Sequence, residues 1–307
     1  MNRGEMRVPL NIFGFKALWS PYFLVILVIL TALFFLTTTK FRGKFEKSEP
    51  LTIKQAVLFS LTIIILYAIK GSPLDLMGHL MFYVHGITMV IFVLLLPPLF
   101  IKAIPPWLWE SLLKMRVVKA VFTVLTKPVI AIIVFNGLFS FYHIPAVFDL
   151  VMQNRFYHGS YSILLFVAAV CMWWSLLSPI SDYRPLSGIK KVAFLFANGM
   201  LMTPACAMII FANTPLYATY SDPEIWAKVM SLCVGSDAFA NLNLSGPELF
   251  SSMNVLDDQR LGGVVMKMIQ EIIYAVVLAQ VFFEWYRKDQ EESEKEVKQI
   301  LDPTPVR

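Results

Sequence analysis

Four histidines carry much of the chemistry that this sequence can offer, and all lie in or beside apolar stretches. His79 and His85 fall in GHLMFYVHGITMVIFVLLLPPLF, residues 78–100, while His143 and His158 flank one short loop. Because imidazole is costly in hydrocarbon, such residues indicate a partner or a function. Imidazoles grouped with carboxylates at the ends of packed helices are typical of a metal site or a proton-handling site. For His143 and His158, an ordinary hydrogen-bonding role at a membrane interface is an equal alternative.

Methionines surround His85 at helical spacing. Met77, Met81, His85 and Met89 recur every four residues, which predicts one stripe along a continuous helix. Thioether and imidazole form a soft ligand set that favours Cu(I) over zinc, magnesium or calcium. The alternative is that methionine only fills the core, since the chain has 15 of them.

The two histidines of this helix are predicted to face different points. Six residues separate them, which is roughly 9 Å along a helix and about 240° around it. His85 with Met89 is therefore the stronger candidate pair, and His79 and Met81 are the weaker candidates. His79 belongs instead with His143 and His158, which are predicted at one common depth.

The elements that position these residues are apolar helices. The chain of 307 residues is 57% hydrophobic and 15% charged, with a mean hydropathy of +0.66. Lipid leaves no backbone group unpaired, so long apolar runs predict an all-α, polytopic membrane helical bundle. Seven transmembrane helices are predicted, at about 20–39, 53–70, 74–96, 120–142, 159–181, 189–212 and 261–286.

These spans define one integral membrane domain, residues 1–288, followed by a charged cytoplasmic tail, residues 289–307. We expect the first span to stay attached, because it lacks a cleavage-site pattern and a basic cluster follows it.

Basic residues set the predicted orientation. With residues at the span ends counted in the adjoining segment, and Lys127 and Lys267 left out because they lie inside spans, seventeen follow spans one, three, five and seven, and only seven lie in the N-terminal tail and the other loops. The positive-inside rule then places the N-terminus outside and the C-terminus in the cytoplasm of a multi-pass plasma-membrane protein. The net charge of +5 is a topology signal, so the expected surroundings are a lipid bilayer and not nucleic acid.

Other polar residues have expected structural roles. Lys267 and Glu271, four residues apart, predict an intramembrane ion pair. Gly262 and Gly263 predict close helix approach. The external stretch 214–259 is long enough to form a functional cap. The cysteines Cys171, Cys206 and Cys233 have no motif spacing and are interpreted as incidental.

No metalloprotease, nucleophile-elbow or P-loop motif is present in the sequence, which therefore predicts no enzyme activity.

Several blocks, in order, resemble the CtaG family of the Bacillus type, the assembly factors associated with caa3-type cytochrome c oxidases. The blocks cover about residues 74–288 and five of the seven predicted spans. They are HGITMVIFVLLLPPLF at 85–100, NGLFSFYHIPAVFD at 136–149, YHGSYSILLFVAAVCMWW at 157–174, TPLYATY at 214–220, and DDQRLGG at 257–263 with KMIQEIIYAVVLAQVFFEWYR after it.

The resemblance also implies site residues. A histidine followed four positions later by histidine or methionine corresponds to His85 and Met89. The histidines of the next two blocks correspond to His143 and His158, and the aspartate of the last block corresponds to Asp258. His79 lies outside the matched motif.

The resemblance implies a role in maturing a caa3-type oxidase, whose copper centres are built near the outer face of the membrane. The first hypothesis is a non-enzymatic factor that binds Cu(I), supplied by a copper donor protein, and passes it to oxidase subunits. In this hypothesis His85, Met89, His143 and His158 are candidate ligands, and Asp258 orients a histidine. A metal-free scaffold for subunit assembly and a haem-handling membrane protein are the alternatives.

Overall fold

The computed structural model describes residues 8–180, 186, 188–235, 239, 242, 244, 246, 249–251 and 253–301. Parts of the predicted external loop 214–259, residue 181 of the fifth predicted span and residues 302–307 of the predicted tail lie outside this range. Within it the chain forms helices and turns and no strand. The all-α class is therefore confirmed for the described residues.

Fifteen helices organise the part of the chain that the structure describes, and a 3-10 turn, Leu10–Phe13, precedes the first. In chain order they are α1 (Gly14–Trp19), α2 (Pro21–Thr38), α3 (Ile53–Lys70), α4 (Pro73–Leu80), α5 (Phe82–Val90), α6 (Leu96–Ala103), α7 (Pro106–Leu113), α8 (Arg116–Leu125), α9 (Pro128–Tyr142), α10 (Pro145–Met152), α11 (Arg155–Leu177), α12 (Ile189–Ile210), α13 (Ala218–Ser221), α14 (Pro223–Val234) and α15 (Val255–Leu301).

Six helical stretches of the described chain are long and apolar enough to cross a membrane, and seven if one bent pair counts as a single span. The six are Leu10–Thr38, Ile53–Lys70, Phe82–Ala103, Arg155–Leu177, Ile189–Ile210 and Val255–Lys295. Each overlaps a span predicted from the sequence. The predicted tail begins as a continuation of α15, which stays helical to Leu301.

The bent pair corresponds to the fourth predicted span, 120–142. Helices α8 and α9 meet there at 85°. Lys127 precedes Pro128 and has an extended backbone, φ −62° and ψ 127°. A residue before proline is driven out of the helical region, so the chain turns at this point.

The third predicted span, 74–96, is also not one continuous helix. Met81 has φ −136° and ψ 125°, which ends α4 and begins α5. Beyond α5 a π-helical turn, Ile91–Leu95, leads into α6. Pro97 and Pro98 follow this turn and cannot donate N–H groups to the preceding turn, which is a usual cause of such irregularity.

Close packing at two glycines brings α15 against the bundle. A Cβ atom at Gly262 would overlap the ring of Phe82, and one at Gly263 would lie 2.8 Å from a side-chain carbon of Ile210. The predicted close helix approach at these glycines is therefore confirmed. The Gly262 contact joins the last helix to the beginning of α5.

The main core lies along α9, α11 and α12, where Phe135, Phe139, Leu165 and Trp173 are fully buried. A second apolar cluster forms at one end of the bundle. It joins the N-terminal segment, α4, α5 and α14 through residues that include Phe13, Leu76, Met81, Val84 and Trp226. The histidines lie at this same end.

Candidate functional site

The structure brings all four histidines together at one end of the bundle. His79 is on α4, His85 is on α5, His143 directly follows α9, and His158 is in the first turn of α11. The rings of His85 and His143 both contact the ring of Tyr142, at 6.0 and 5.3 Å, and the rings of His79 and His158 contact each other. Four sequence-distant imidazoles therefore share one region.

Local capping fixes the helices that carry the outer pair. Ser72 accepts a hydrogen bond from the backbone N–H of Leu74 and begins α4 before Pro73. Asn154 does the same for the backbone N–H groups of Phe156 and Tyr157 and begins α11. Small polar residues at this position satisfy N–H groups that a helix start otherwise leaves unpaired.

His79 and His158 form the closest histidine pair. Their ring centroids are 5.6 Å apart at an interplanar angle of 85°. Nδ1 of His79 lies 2.8 Å from the backbone oxygen of Asp75, so this nitrogen carries a proton and donates it to that oxygen.

Both rings of this pair line a cavity of about 150 Å³, which we call the outer pocket. Two residues with sulfur atoms, Met152 with its thioether and Cys233 with its thiol, also line this pocket. Cys233 is directly beside His79. Asp75 and Arg155 also line it. The pocket therefore combines imidazole and sulfur, a soft donor set.

A chain of contacts leads from the outer pocket to His85. The hydroxyl of Tyr142 lies 3.8 Å from Sδ of Met152 and 3.5 Å from Nε2 of His85. The ring of His85 also packs edge-on against Phe148 at 5.2 Å. His85 is thus buried among aromatic rings with Tyr142 between it and the pocket.

His143 is fully buried, and its ring is oriented by the backbone. Its Nδ1 lies 2.7 Å from the oxygen of Phe139. Burial lowers the pKa of His143 to about 4, so the ring is neutral at physiological pH. Nε2 has no hydrogen-bond partner among the described residues, although such buried groups usually have one. A neutral imidazole with a buried lone pair fits a metal ligand or a hydrogen-bond acceptor.

Asp258 contacts the backbone and not a histidine in this structure. Its carboxylate accepts hydrogen bonds from the backbone N–H groups of Phe82, at 2.6 Å, and Tyr83, at 3.3 Å. These groups are the unpaired start of α5, where negative charge is favourable. Asp258 therefore positions the helix that carries His85, whereas the sequence hypothesis has it orient a histidine side chain.

The predicted methionine stripe is wrong as a continuous feature, because Met81 is extended and separates Met77 from His85. Met81 packs in the second apolar cluster, and Met89 packs in the main core. Only His85 and Met89 keep the spacing of one helical turn on a shared helix, α5. The two segments are in van der Waals contact at Gly78, where a Cβ would lie 3.4 Å from Cα of His85.

A predicted cap covers this end. Tyr217 donates to the backbone oxygen of His143 at 2.9 Å, and Tyr220 donates to that of Gly78 at 2.6 Å. Asp149 accepts hydrogen bonds from the backbone N–H groups of Ala218 and Thr219. The stretch after α12 therefore seals the histidine region with tyrosines.

The sequence interpretation missed Cys233, Met152 and Tyr142. Cys171 and Cys206 are buried within helices, but Cys233 is half-buried on the pocket wall. Nothing in the spacing of the three cysteines distinguishes Cys233. The one feature of the sequence that points to Cys233 is its position in the predicted cap.

The candidate ligands do not form a closed cage. Among the described residues, no group of three or more His, Cys, Asp and Glu side chains is arranged to hold a metal ion. The arrangement is a histidine pair with sulfur neighbours, plus two deeper histidines.

Comparison with known proteins gives the family. The sequence model of the cytochrome c oxidase caa3 assembly factor family (CtaG) matches residues 32–288. Comparisons with curated proteins and with solved structures found no match. Because the family match includes every candidate residue discussed above and most of the chain, this protein belongs to the cytochrome c oxidase caa3 assembly factor family.

Proposed function

We propose that this protein binds Cu(I) as cargo at its histidine end and passes it to a caa3-type cytochrome c oxidase during maturation of the oxidase. The role is non-catalytic, and the oxidase subunits are its partners. A copper donor protein upstream completes the path of the metal. Family membership supports the assembly role, and the donor chemistry of the histidine end supports copper as the cargo.

The outer pocket is the observation that carries the copper proposal. His79 and His158 place two imidazoles on one cavity, and Met152 and Cys233 add two sulfurs. Thiolate and thioether ligands select Cu(I) over harder ions. This pocket is the proposed entry point for copper.

The inner ligands of the proposal are His85, Met89 and His143, with the neutral Nε2 of His143 as the best prepared donor. Met152 and Tyr142 connect the pocket to His85. The outer pocket and these inner ligands lie next to each other, and neither group encloses an ion completely. A copper ion in transfer would therefore occupy first one group and then the other, without a single tight site.

The proposed setting is the plasma membrane, with seven crossings that include the bent pair α8 and α9. Counts of basic residues support a cytoplasmic C-terminus and an outer position for the histidine end. The N-terminal segment and the cap pack at that same end, which supports a shared side for both.

The test is metal analysis of protein purified anaerobically with a reductant. We expect copper in the wild-type protein and no strong visible absorption. Replacing His85 and His143 together with alanine should lower the amount of bound copper and abolish oxidase activity while the protein remains in the membrane. Met89→Leu should weaken copper retention, whereas Met268→Leu, at an exposed methionine of α15, is the matched control.

A metal-free scaffold is the second candidate, and the absence of a closed ligand cage among the described residues favours it. In that case purified protein contains no copper, and the double histidine variant assembles oxidase normally. A strong visible absorption band would instead indicate the haem-handling alternative.

A further inference from the structure

A groove on the outside of the bundle holds two charged residues of the last predicted span and faces the sixth. It lies between α12 and α15 and has a volume of about 460 Å³. Its walls include Phe196, Met200 and Leu278, and its polar members are Thr203, Lys267 and Glu271. Thr203 lies within α12, seven residues before its end at Ile210.

Lys267 has its hydrogen-bonding capacity filled within the chain. Its Nζ lies 2.7 Å from Oε1 of Glu271, 3.0 Å from Oγ1 of Thr203 and 3.5 Å from the backbone oxygen of Gly199. An ammonium group has three N–H donors, and three acceptors surround this one. Lys267 therefore has no donor left for a neighbour.

Glu271 has capacity left. Only its Oε1 is paired, and Oε2 has no partner among the residues that the structure describes. The side chain is 59% exposed on the groove surface. A carboxylate is an acceptor with several lone pairs, and leaving it against hydrocarbon is costly. The groove thus presents one unmet acceptor in an otherwise apolar surface.

We propose that a transmembrane helix of a caa3-type oxidase subunit docks in this groove and donates a hydrogen bond to Glu271. The long apolar walls suit a helix that lies beside α12 and α15, and the acceptor requires a donor at matching depth. The partner named here rests on the assembly role in the proposed function, but docking does not depend on copper.

A second copy of this chain is a poorer occupant. It would bring another Glu271 acceptor and a Lys267 whose three donors are already used. Two carboxylates would then face each other without a new donor, which is unfavourable. The chemistry therefore favours a different polypeptide.

The test is site-specific photo-cross-linking in membranes that contain co-expressed caa3 oxidase subunits. A photoreactive residue replaces Met200, which is 61% exposed and lines the groove. The matched control is Leu201, which is 44% exposed and does not line the groove. We expect a covalent adduct with an oxidase subunit from position 200 and none from position 201.

The double substitution Lys267→Met with Glu271→Leu removes both charges and keeps the groove apolar. We expect it to lose the adduct from position 200 while its copper content and membrane level stay unchanged. Equal adducts from both positions, adducts only with a second copy, or adducts only with lipid would overturn the proposal.

The copper measurement separates this proposal from the proposed function. A specific adduct from metal-free protein would refute copper handling and support docking. Copper-loaded protein without the adduct would refute docking alone.

Discussion

The carboxylate of Asp258 and the backbone N–H of Phe82 are joined by a 2.6 Å hydrogen bond across 176 residues of chain. This contact links the last long helix to the start of the helix that carries His85. The break at Met81 exposes those N–H groups, and the buried carboxylate satisfies them. The position of His85 therefore depends on a residue at the opposite end of the domain.

Two substitutions at Asp258 distinguish the contribution of its charge from the contribution of its hydrogen bonds. Asp258→Asn keeps a hydrogen-bond acceptor and should lower the free energy of unfolding less than Asp258→Ala does. The alanine leaves the buried N–H groups unpaired, at a cost of about 1–3 kcal/mol. Thermal unfolding in detergent measures the difference. Both variants should also weaken copper retention, and identical unfolding of Ala, Asn and wild-type proteins would refute the capping role.

Chemical labelling tests the outer pocket and the orientation together. A membrane-impermeant maleimide applied to intact cells should label Cys233 and leave Cys171 and Cys206 unmodified, because both of these are buried. Prior loading with Cu(I) should slow the labelling of Cys233. A Cys233→Ser variant provides the control. Labelling of Cys233 only after the cells are opened would contradict the outward orientation.

Two glycine-to-alanine substitutions should differ in their effect on stability. Gly262→Ala places a methyl group against the ring of Phe82, so we expect destabilisation of about 1–3 kcal/mol from overpacking. Gly137→Ala, on α9, meets nothing within 4 Å and should be neutral or stabilising by roughly 0.5–1 kcal/mol. Thermal unfolding of both proteins measures this contrast. Equal melting temperatures would mean that α15 does not approach α5 this closely.

Tyr142→Phe tests the link between the two ligand groups. The change removes only the hydroxyl near His85 and Met152, so stability should fall by about 1 kcal/mol or less. We expect copper to be retained at the outer pocket and to reach the oxidase more slowly, as measured by recovery of oxidase activity after copper addition. Tyr161→Phe is the control, because that hydroxyl donates to the backbone oxygen of Leu138. Recovery as fast as that of the wild type would remove Tyr142 from the transfer path.

The features set by local spacing were predictable. Lys267 and Glu271 form the expected ion pair at 2.7 Å, because positions four apart are neighbours on any helix. The bend before Pro128 also has a local signal, the restriction that proline places on Lys127. Apolar length alone did not reveal it.

The break at Met81 had no such signal. Its neighbours continue a helical pattern, and the alternative backbone is stabilised by tertiary contacts, chiefly those of Asp258. The same is true of Cys233, whose place beside His79 depends on how α14 packs over α4. Long-range contacts of this kind cannot be inferred from periodicity in one sequence.

The contact between Asp258 and α5 also sets an order of events during biogenesis. When α5 leaves the ribosome, its carboxylate acceptor has not yet been synthesised. The start of that helix is completed only after the final long helix enters the bundle. A chain that stops before α15 therefore lacks the acceptor that holds His85 in position, so the ligand end takes its final form only once that helix has been made.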